Sequence, residues 1–364
     1  MVTQTASWNY RDAHTDAFGR TYFRRFGDGV VSSIGLGTYL GAATDAVDDA
    51  YHDAVVNAVE NGISVVDTAR NYRCQRSERV VGDAVADADV DREALLVASK
   101  CGFVPFDGER PADPGAYVHD RFVENGPLAR EDLVAGQHAI TPAFVHDQLD
   151  QSLQSLDVDV LDLYYLHNPE VQLAEHDRET VYDAIEDAFV ALEGRVADGD
   201  LRQYGVASWE CFRVDRDHPK YLSLAEVVSR ARSAADRAGN AATSFRAVQL
   251  PFNVHMADAF TEESQPSADG DVSVLELANT AGIDVFTSAS LAQGSLANAD
   301  AIPEAVASKL DGDTPAQRAI NFARSAPGVT SALVGTTSTA HVADDVAAGT
   351  FDPLGADAFD ATFE

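Results

Sequence analysis

From about Gly29 to Gly349, short runs of apolar and β-branched residues alternate with longer stretches in which apolar positions recur every three or four residues. The short runs predict eight strands, over residues 34–38, 63–68, 94–100, 160–167, 204–208, 247–252, 284–288 and 331–335. The longer stretches predict helices, among them 45–60, 141–156, 178–197, 222–238 and 315–325. Thr141-Pro142 is a helix start, since the threonine hydroxyl can cap the first turn and proline needs no partner there. Asn61-Gly62 is a stop. An opening hairpin is predicted at 21–27 and 30–33, around the turn pair Asp28-Gly29. Strict alternation of strand and helix makes a parallel sheet, and eight such units predict a closed α/β TIM barrel, (β/α)8, as a single domain over 1–364. An open doubly wound sheet is the structural rival. No G-x-G-x-x-G follows any strand, which weighs against its dinucleotide-binding version.

One connection breaks the rhythm. Residues 101–140, after the third strand, are rich in Pro, Gly and acids, and loops beyond about 12–15 residues are usually functional or disordered. The segment holds Phe103, Phe106, Tyr117, Phe122 and Leu128, so partial order is expected. It leaves the C-terminal end of a strand, the active-site face of such barrels. It therefore reads as a loop insertion on that face, a lid or pocket wall.

Composition narrows the class. Apolar residues make up 45%, enough for a globular core. There is no apolar run of 18 residues and hence no expected membrane span. Residues 1–18 are polar and lack the apolar stretch of a secretory signal. Cys74, Cys101 and Cys211 form neither a disulfide framework nor a metal-ligand pattern. These features together read as cytoplasmic and reduced, with no metal site. The formal charge is −33, spread along the chain, and the only lysines are Lys100, Lys220 and Lys309. Unscreened, such a surface repels itself. A halophilic cytoplasm is the simplest setting. Nucleic acid is excluded as a partner for want of clustered Lys and Arg.

The charge also sharpens the chemistry. The second strand runs Val65-Val66-Asp67 with Tyr72 in the loop beyond it; the third ends Ser99-Lys100 and the fourth Leu166-His167. Taken singly, each has an ordinary structural explanation: a cap partner, a snorkelling strand end, a satisfied polar group, a loop aromatic. Together they put an acid, a lysine, a histidine and a phenol at the tips of three consecutive strands, where a parallel barrel makes them converge. In a chain that has nearly abandoned lysine, Lys100 is the sharpest clue. Carbonyl reduction suits the set. Hydride addition builds an oxyanion that needs a proton, and a tyrosine of pKa about 10 could give it once a neighbouring ammonium lowers that value. Asp67 would hold Lys100 charged, and His167 could donate a hydrogen bond to the substrate oxygen.

The ordered motifs resemble those of the aldo-keto reductases. They are Gly35-Leu36-Gly37-Thr38-Tyr39; Asp67-Thr68-Ala69-x-x-Tyr72 with Ser77-Glu78 and Gly82; Lys100; and Leu163-Tyr164-Tyr165-Leu166-His167-Asn168-Pro169. Tyr204-Gly205-Val206-Ala207-Ser208, Gln249 with Asn253, Leu291-x-x-Gly294, Pro327-Gly328-Val329 and Val334-Gly335-Thr336-Thr337-Ser338 follow in order. The resemblance, to an acidic, haloarchaeal-type member, runs from about Tyr22 to Gly349. It implies a catalytic tetrad of Asp67, Tyr72, Lys100 and His167, with Tyr72 as general acid and base. It implies a nicotinamide cofactor, NADP(H) narrowly ahead of NAD(H), held by Gly37, Thr38, Tyr39, Asp67, Ser208, Gln249, Ser288, Leu291 and Gln293. Gly335, Thr336, Thr337, His341 and Asp345 would meet its adenosine end. The substrate would be a small carbonyl compound, sugars included, or the corresponding alcohol. Ser288 stands where relatives usually stack an aromatic on the nicotinamide, Ala207 replaces a common serine, and Arg73-Cys74-Gln75-Arg76 fills a turn often opened by glycine. Two other classes fit parts of the set: a lyase using Lys100 as a Schiff base, and a non-catalytic nicotinamide-binding module. Oligomeric state is not encoded in any of these motifs.

The charge yields a first prediction. The melting temperature should fall steeply as potassium chloride drops well below about 1 M, where the Debye length exceeds about 3 Å and carboxylate repulsion is no longer screened. A melting temperature flat between roughly 0.1 and 3 M salt would show that the charge is tolerated without screening.

Overall fold

The computed structural model describes residues 2–363. Eight parallel strands close into a barrel: Ile34–Gly37, Val65–Asp67, Leu96–Cys101, Leu161–His167, Leu201–Ala207, Phe245–Pro251, Asp284–Ser288 and Val329–Gly335. Closure is made by the first strand, which pairs with the second at Gly37 and Asp67 and with the last at Gly37 and Gly335. The predicted α/β barrel is therefore the observed one.

Side-chain parity decides what the site contains. Successive strand residues face opposite sides. Val65, Leu96, Ala98, Leu163, Tyr165, Ala247, Phe286 and Leu333 form one buried cluster inside the barrel, while Val66, Val97, Tyr164, Leu166 and Val248 belong to the layer beneath the helices. Counting on by two from the inner set reaches Asp67, Lys100, His167, Gln249, Ser288 and Gly335. Every one of them must point inward at the C-terminal end. The other end is plugged by a hairpin, Phe23–Phe26 against Gly29–Ser32, which turns at Gly27-Asp28, one residue before the expected Asp28-Gly29, because Gly27 takes the left-handed position at φ 54°; its Phe26 meets Phe286 edge to face at 5.8 Å.

The helices follow their apolar spacing. Leu224–Ala238 buries Leu224, Val227, Val228, Ala231, Ala234 and Ala235, one stripe at helical period, and Ser223 caps it by accepting from the Glu226 amide at 3.4 Å. It begins two residues later than predicted because Ser223 occupies the cap. The third strand likewise starts at Leu96 and not at 94, since Arg92–Ala94 turn as a short 3-10 segment. The polar N-terminal stretch contains an unpredicted helix, Gln4–Ala13, capped by Thr3 and packed through Ala6 and Tyr10. No helix among the described residues is long and apolar enough to cross a membrane.

Arginines tie the acidic helices together. Arg230 meets Glu179, Asp183, Glu186 and Glu226 at 2.5, 2.6, 3.1 and 2.8 Å, linking Arg178–Asp198 to Leu224–Ala238. Where helices meet without charge, the approach is close. On the helix Arg76–Asp87, a Cβ at Gly82 would lie 2.7 Å from the Leu156 carbonyl oxygen, at the end of the helix Pro142–Leu156. Gly82→Ala should therefore destabilise by about 1–3 kcal/mol through overpacking, although alanine is the better helix former by about 1 kcal/mol. Urea unfolding measures it; a midpoint equal to or above that of the native chain would show that the helices part freely.

Candidate active site

The inward strand tips surround a cleft of about 530 Å³ at the C-terminal mouth of the barrel. Lys100 is at its base, wholly buried, and all three of its N–H groups have acceptors: Asp67 Oδ1 at 2.6 Å, the Thr68 carbonyl at 2.8 Å and Tyr72 Oη at 3.2 Å. The second oxygen of Asp67 accepts from Gln249 Nε2 at 2.8 Å. The second, third and sixth strands and the loop after the second are thus joined by one ammonium and its carboxylate. The ring of His167 crosses that of Tyr72 edge to face at 5.8 Å, and the half-exposed Tyr39 covers the other side of Tyr72 at 5.0 Å.

Burial and charge compete at each group. Loss of water around Lys100 works against its charge, but Asp67 and Tyr72 outweigh it, so its pKa lies above the ordinary lysine value. For Tyr72 the balance is the reverse of the one expected from sequence: burial raises the phenol's pKa and the ammonium lowers it by less, leaving it above its ordinary value of 10.0. His167 is held well below 6.5 by burial and by the Lys100 charge, so its imidazole is neutral. The site therefore presents a protonated phenol, a neutral imidazole and a buried ammonium.

The loop carrying Tyr72 is fixed from outside the barrel. Arg70, buried, donates to Glu78, to Gln75 Oε1 at 2.7 Å, to Gln151 Oε1 at 2.9 Å and to Ser155 Oγ at 3.1 Å. Ser99, the residue before Lys100, donates to Glu78 at 2.6 Å. Beyond Tyr72, Arg73, Cys74 and Gln75 are left-handed in succession, at φ 47°, 56° and 68°. This is the turn where glycine was expected from the resemblance. Arg73 holds it by donating to the Ala42 carbonyl from Nε and Nη2, at 3.1 and 3.0 Å, and to Asp48.

Gly37, Thr38, Tyr39, Asp67, Tyr72, His167, Ser208, Gln249, Ser288, Leu291, Gln293 and Gly335 all line the cleft. Thr336, Thr337, His341 and Asp345 do not. Thr336 Oγ1 instead accepts from the Ser338 amide at 3.1 Å, and Thr337 and His341 are exposed. Asp345 corrects the reading from sequence. Its spacing from Val342 and Ala348 puts it on the core face of the helix Thr339–Ala348, where burial and nearby Asp344 push its carboxyl up to about 7. Among the described residues no arginine or lysine lines the cleft, and no group of His, Cys, Asp and Glu could hold a metal.

Several lining residues lay outside the expected set, among them Asn71, Phe103, Asn168 and Trp209. Asn168 and Trp209 directly follow strand-end residues already singled out, a signal that was available. Trp209, 44% exposed at the rim, has its amide held by buried Glu170 Oε1 at 2.8 Å, an oxygen that also takes the Glu210 amide at 3.0 Å. The segment 101–140 is ordered. It contains a short helix, Pro114–Val118, and its own cluster of Val104, Val118, Phe122, Leu128 and Ala139 against Phe144. Its one side chain at the cleft is Phe103.

The cleft suits a nicotinamide dinucleotide. Gly37 and Gly335 bring bare backbone to the mouth, Ser208 and Gln249 offer a hydroxyl and an amide beside the tetrad, and the turn from Ala289 to Gly294 bounds one side. Comparison with known proteins agrees with this shape. Residues 33–362 match the profile of the Aldo/keto reductase family. The chain is 28% identical over 180 residues to the NADH-specific methylglyoxal reductase of Escherichia coli (strain K12), covering 49% of this chain and 46% of that one. The matched stretches thus span less than half the length of such curated relatives. Among solved structures, the holo form of the aldo-keto reductase AKR11C1 of Bacillus halodurans superposes with a TM-score of 0.64 at 21% identity, covering 94% of this chain and 95% of that one. The aldo/keto reductase of Klebsiella pneumoniae, in complex with NADP and acetate, gives 0.60 at 22% identity with 94% of both chains covered. At such identities the likeness concerns the fold.

Proposed function

The chain belongs to the aldo/keto reductase family, and from that premise we propose that it is a nicotinamide-dependent reductase of small, uncharged aldehydes or ketones, or oxidises the matching alcohols. The observation that carries the reading is the contact of Lys100 Nζ with Tyr72 Oη at 3.2 Å beneath the cleft. Bound beside Ser208 and Gln249, the cofactor would supply or accept a hydride. Tyr72 gives its phenolic proton to the oxyanion that forms, and Lys100 stabilises the resulting phenolate. His167, neutral, donates from its imidazole N–H to the same oxygen and orients it. Asp67, held by Gln249, keeps the ammonium charged and aimed. Among the described residues no arginine or lysine lines the cleft to pair with a carboxylated or phosphorylated substrate. The NADH-specific methylglyoxal reductase of Escherichia coli supports the choice of a small carbonyl compound.

The same geometry disfavours a lyase. A Schiff base needs a neutral, accessible amine, and Lys100 is buried, charged and saturated with acceptors. A non-catalytic binding module would retain cofactor without turnover, which an assay with both cofactors separates directly.

Tyr72→Phe should lower kcat by at least about 100-fold, the usual reach of general acid catalysis, while leaving cofactor affinity within about threefold. Lys100→Met should do comparable damage. A Tyr72→Phe variant keeping more than about a tenth of the native rate would sink the assignment. The pH profile checks the sign. Since burial keeps the Tyr72 pKa above 10.0, the acid form persists through neutrality. Reduction should be level between about pH 6 and 9, with oxidation, which needs the phenolate, climbing as pH rises. A loss of reduction near pH 7 would point to another donor.

Cofactor choice should be weak. With no Lys or Arg among the described residues lining the cleft, and His341 exposed beyond it, discrimination between NADP(H) and NAD(H) in kcat/KM should stay below about 100-fold. His341→Arg should move preference toward NADP(H). A native chain more than about a thousandfold selective for NADP(H) would mean that basic residues elsewhere grip the 2′-phosphate.

A further inference from the structure

Near its end, the segment 101–140 carries His138, which takes no part in the proton and hydride steps above. It is wholly buried, and its ring lies between two partners. Nε2 is 2.8 Å from the backbone carbonyl of His167, and Nδ1 is 2.8 Å from Gln172 Nε2. A carbonyl only accepts, so the proton must be on Nε2. Nδ1 is then the acceptor and the Gln172 amide the donor, and the tautomer follows from the partners. Burial holds the ring neutral, with its pKa pushed down to about 4.

Phe103 lies between this histidine and the catalytic one. Its ring meets His138 edge to face at 5.0 Å and His167 at 5.2 Å, and it lines the cleft. Backbone bonds lock the arrangement: the Ala139 amide donates to the Gly102 carbonyl at 2.9 Å and the Val104 amide to that of Gln137 at 2.8 Å. Gly102 permits it, since a Cβ there would lie 2.9 Å from His138 Nε2.

We propose that Phe103 is the specificity-determining residue at the substrate end of the cleft and that His138 is its positioning residue, together selecting carbonyl compounds with an apolar or aromatic substituent beside the carbonyl. The inference rests on the reductase reading above. His138 acts through two neighbours: it fixes the backbone of His167, whose imidazole orients the substrate oxygen, and it packs against the ring of Phe103. One clamp therefore aligns the reacting oxygen and the wall beside it.

The test compares the native chain with Phe103→Ala, His138→Ala, His138→Gln and the double alanine variant. Each is assayed for kcat and KM with propionaldehyde and benzaldehyde, and cofactor affinity is read separately by fluorescence quenching. Phe103→Ala should raise KM for benzaldehyde about tenfold or more, and for propionaldehyde less than about threefold. His138→Ala should shift the same ratio and lower kcat for both aldehydes, with cofactor affinity unchanged. His138→Gln, whose amide can still donate to the His167 carbonyl, should recover most of that kcat. The double variant should shift the ratio no further than the larger single change, as expected of residues acting through one contact. An unchanged benzaldehyde-to-propionaldehyde ratio in His138→Ala, or losses that simply add in the double variant, would overturn the proposal. Should His138→Ala not fold, Phe103→Leu and His138→Gln carry the test, and a ratio unmoved by Phe103→Leu overturns it. A native chain inactive with every aldehyde and both cofactors would instead overturn the reductase reading and this inference with it.

Discussion

A charged lysine inside the barrel is the constraint on which the site is built. An ammonium taken out of water costs several kcal/mol unless its hydrogens are met by acceptors and its charge by a counter-ion. Lys100 has both, from Asp67, the Thr68 carbonyl and Tyr72. These acceptors come from a neighbouring strand and the loop beyond it, so the ammonium is satisfied only when the barrel is closed and that loop is seated. Asp67 is in turn held by Gln249 on the sixth strand, across the mouth. Removing one partner of such a buried pair generally costs about 3–5 kcal/mol, so the placement of these side chains and the stability of the barrel depend on the same bonds. The ammonium also acts on two groups that line the cleft: it adds to burial in keeping His167 neutral, and it lowers the phenol's pKa against a larger rise from burial.

The extreme acidity affects fold and site differently. On the surface, one arginine serves several carboxylates, as Arg230 does between two helices, because a planar fork with five donors can satisfy more acceptors than an ammonium can. At the foot of the cleft the demand is for a compact point charge that reaches a phenol and a carboxylate together. The near-absence of lysine elsewhere and its presence at position 100 thus express one chemical distinction.

Much of this was legible in the sequence, and the reasons are specific. The period-2 strands Val65–Asp67, Leu96–Cys101 and Leu161–His167 carry Asp67, Lys100 and His167 at or one residue before their ends with inward parity, so the side of the barrel these three occupy follows from counting. The barrel was legible because eight apolar runs recur with helical stretches between them. Asp345 was not, because its side is set by helical phase against Val342 and Ala348 and not by its distance from a motif. The direction of the Tyr72 shift was misjudged because the sequence names the charged neighbour and says nothing of the depth of burial. The segment 101–140 showed its apolar residues but not its fold. The contact of His138 with the His167 carbonyl spans 29 residues and two loops, and no local pattern encodes it.

The turn after Tyr72 joins these threads. Three successive non-glycine residues in the left-handed region cost roughly 1–2 kcal/mol each, so the backbone there would relax unless held. It is held on both sides by arginines. Arg70, before Tyr72, reaches Gln75 and Glu78 beyond it, and Arg73 fastens its own turn to the Ala42 carbonyl and Asp48. Glu78 also takes the hydroxyl of Ser99, next to Lys100 in sequence and facing out of the barrel where Lys100 faces in. The phenol and the ammonium are therefore positioned from behind by one buried acid and its arginine. The 3.2 Å separation between Lys100 Nζ and Tyr72 Oη is thus set by two networks, one inside the barrel wall and one outside it. A glycine turn would adopt the same backbone without strain but would carry no guanidinium to fasten it. At Arg73 the chain accepts a strained conformation and gains a tether, and that tether lies on the loop whose phenol meets the Lys100 ammonium in the cleft.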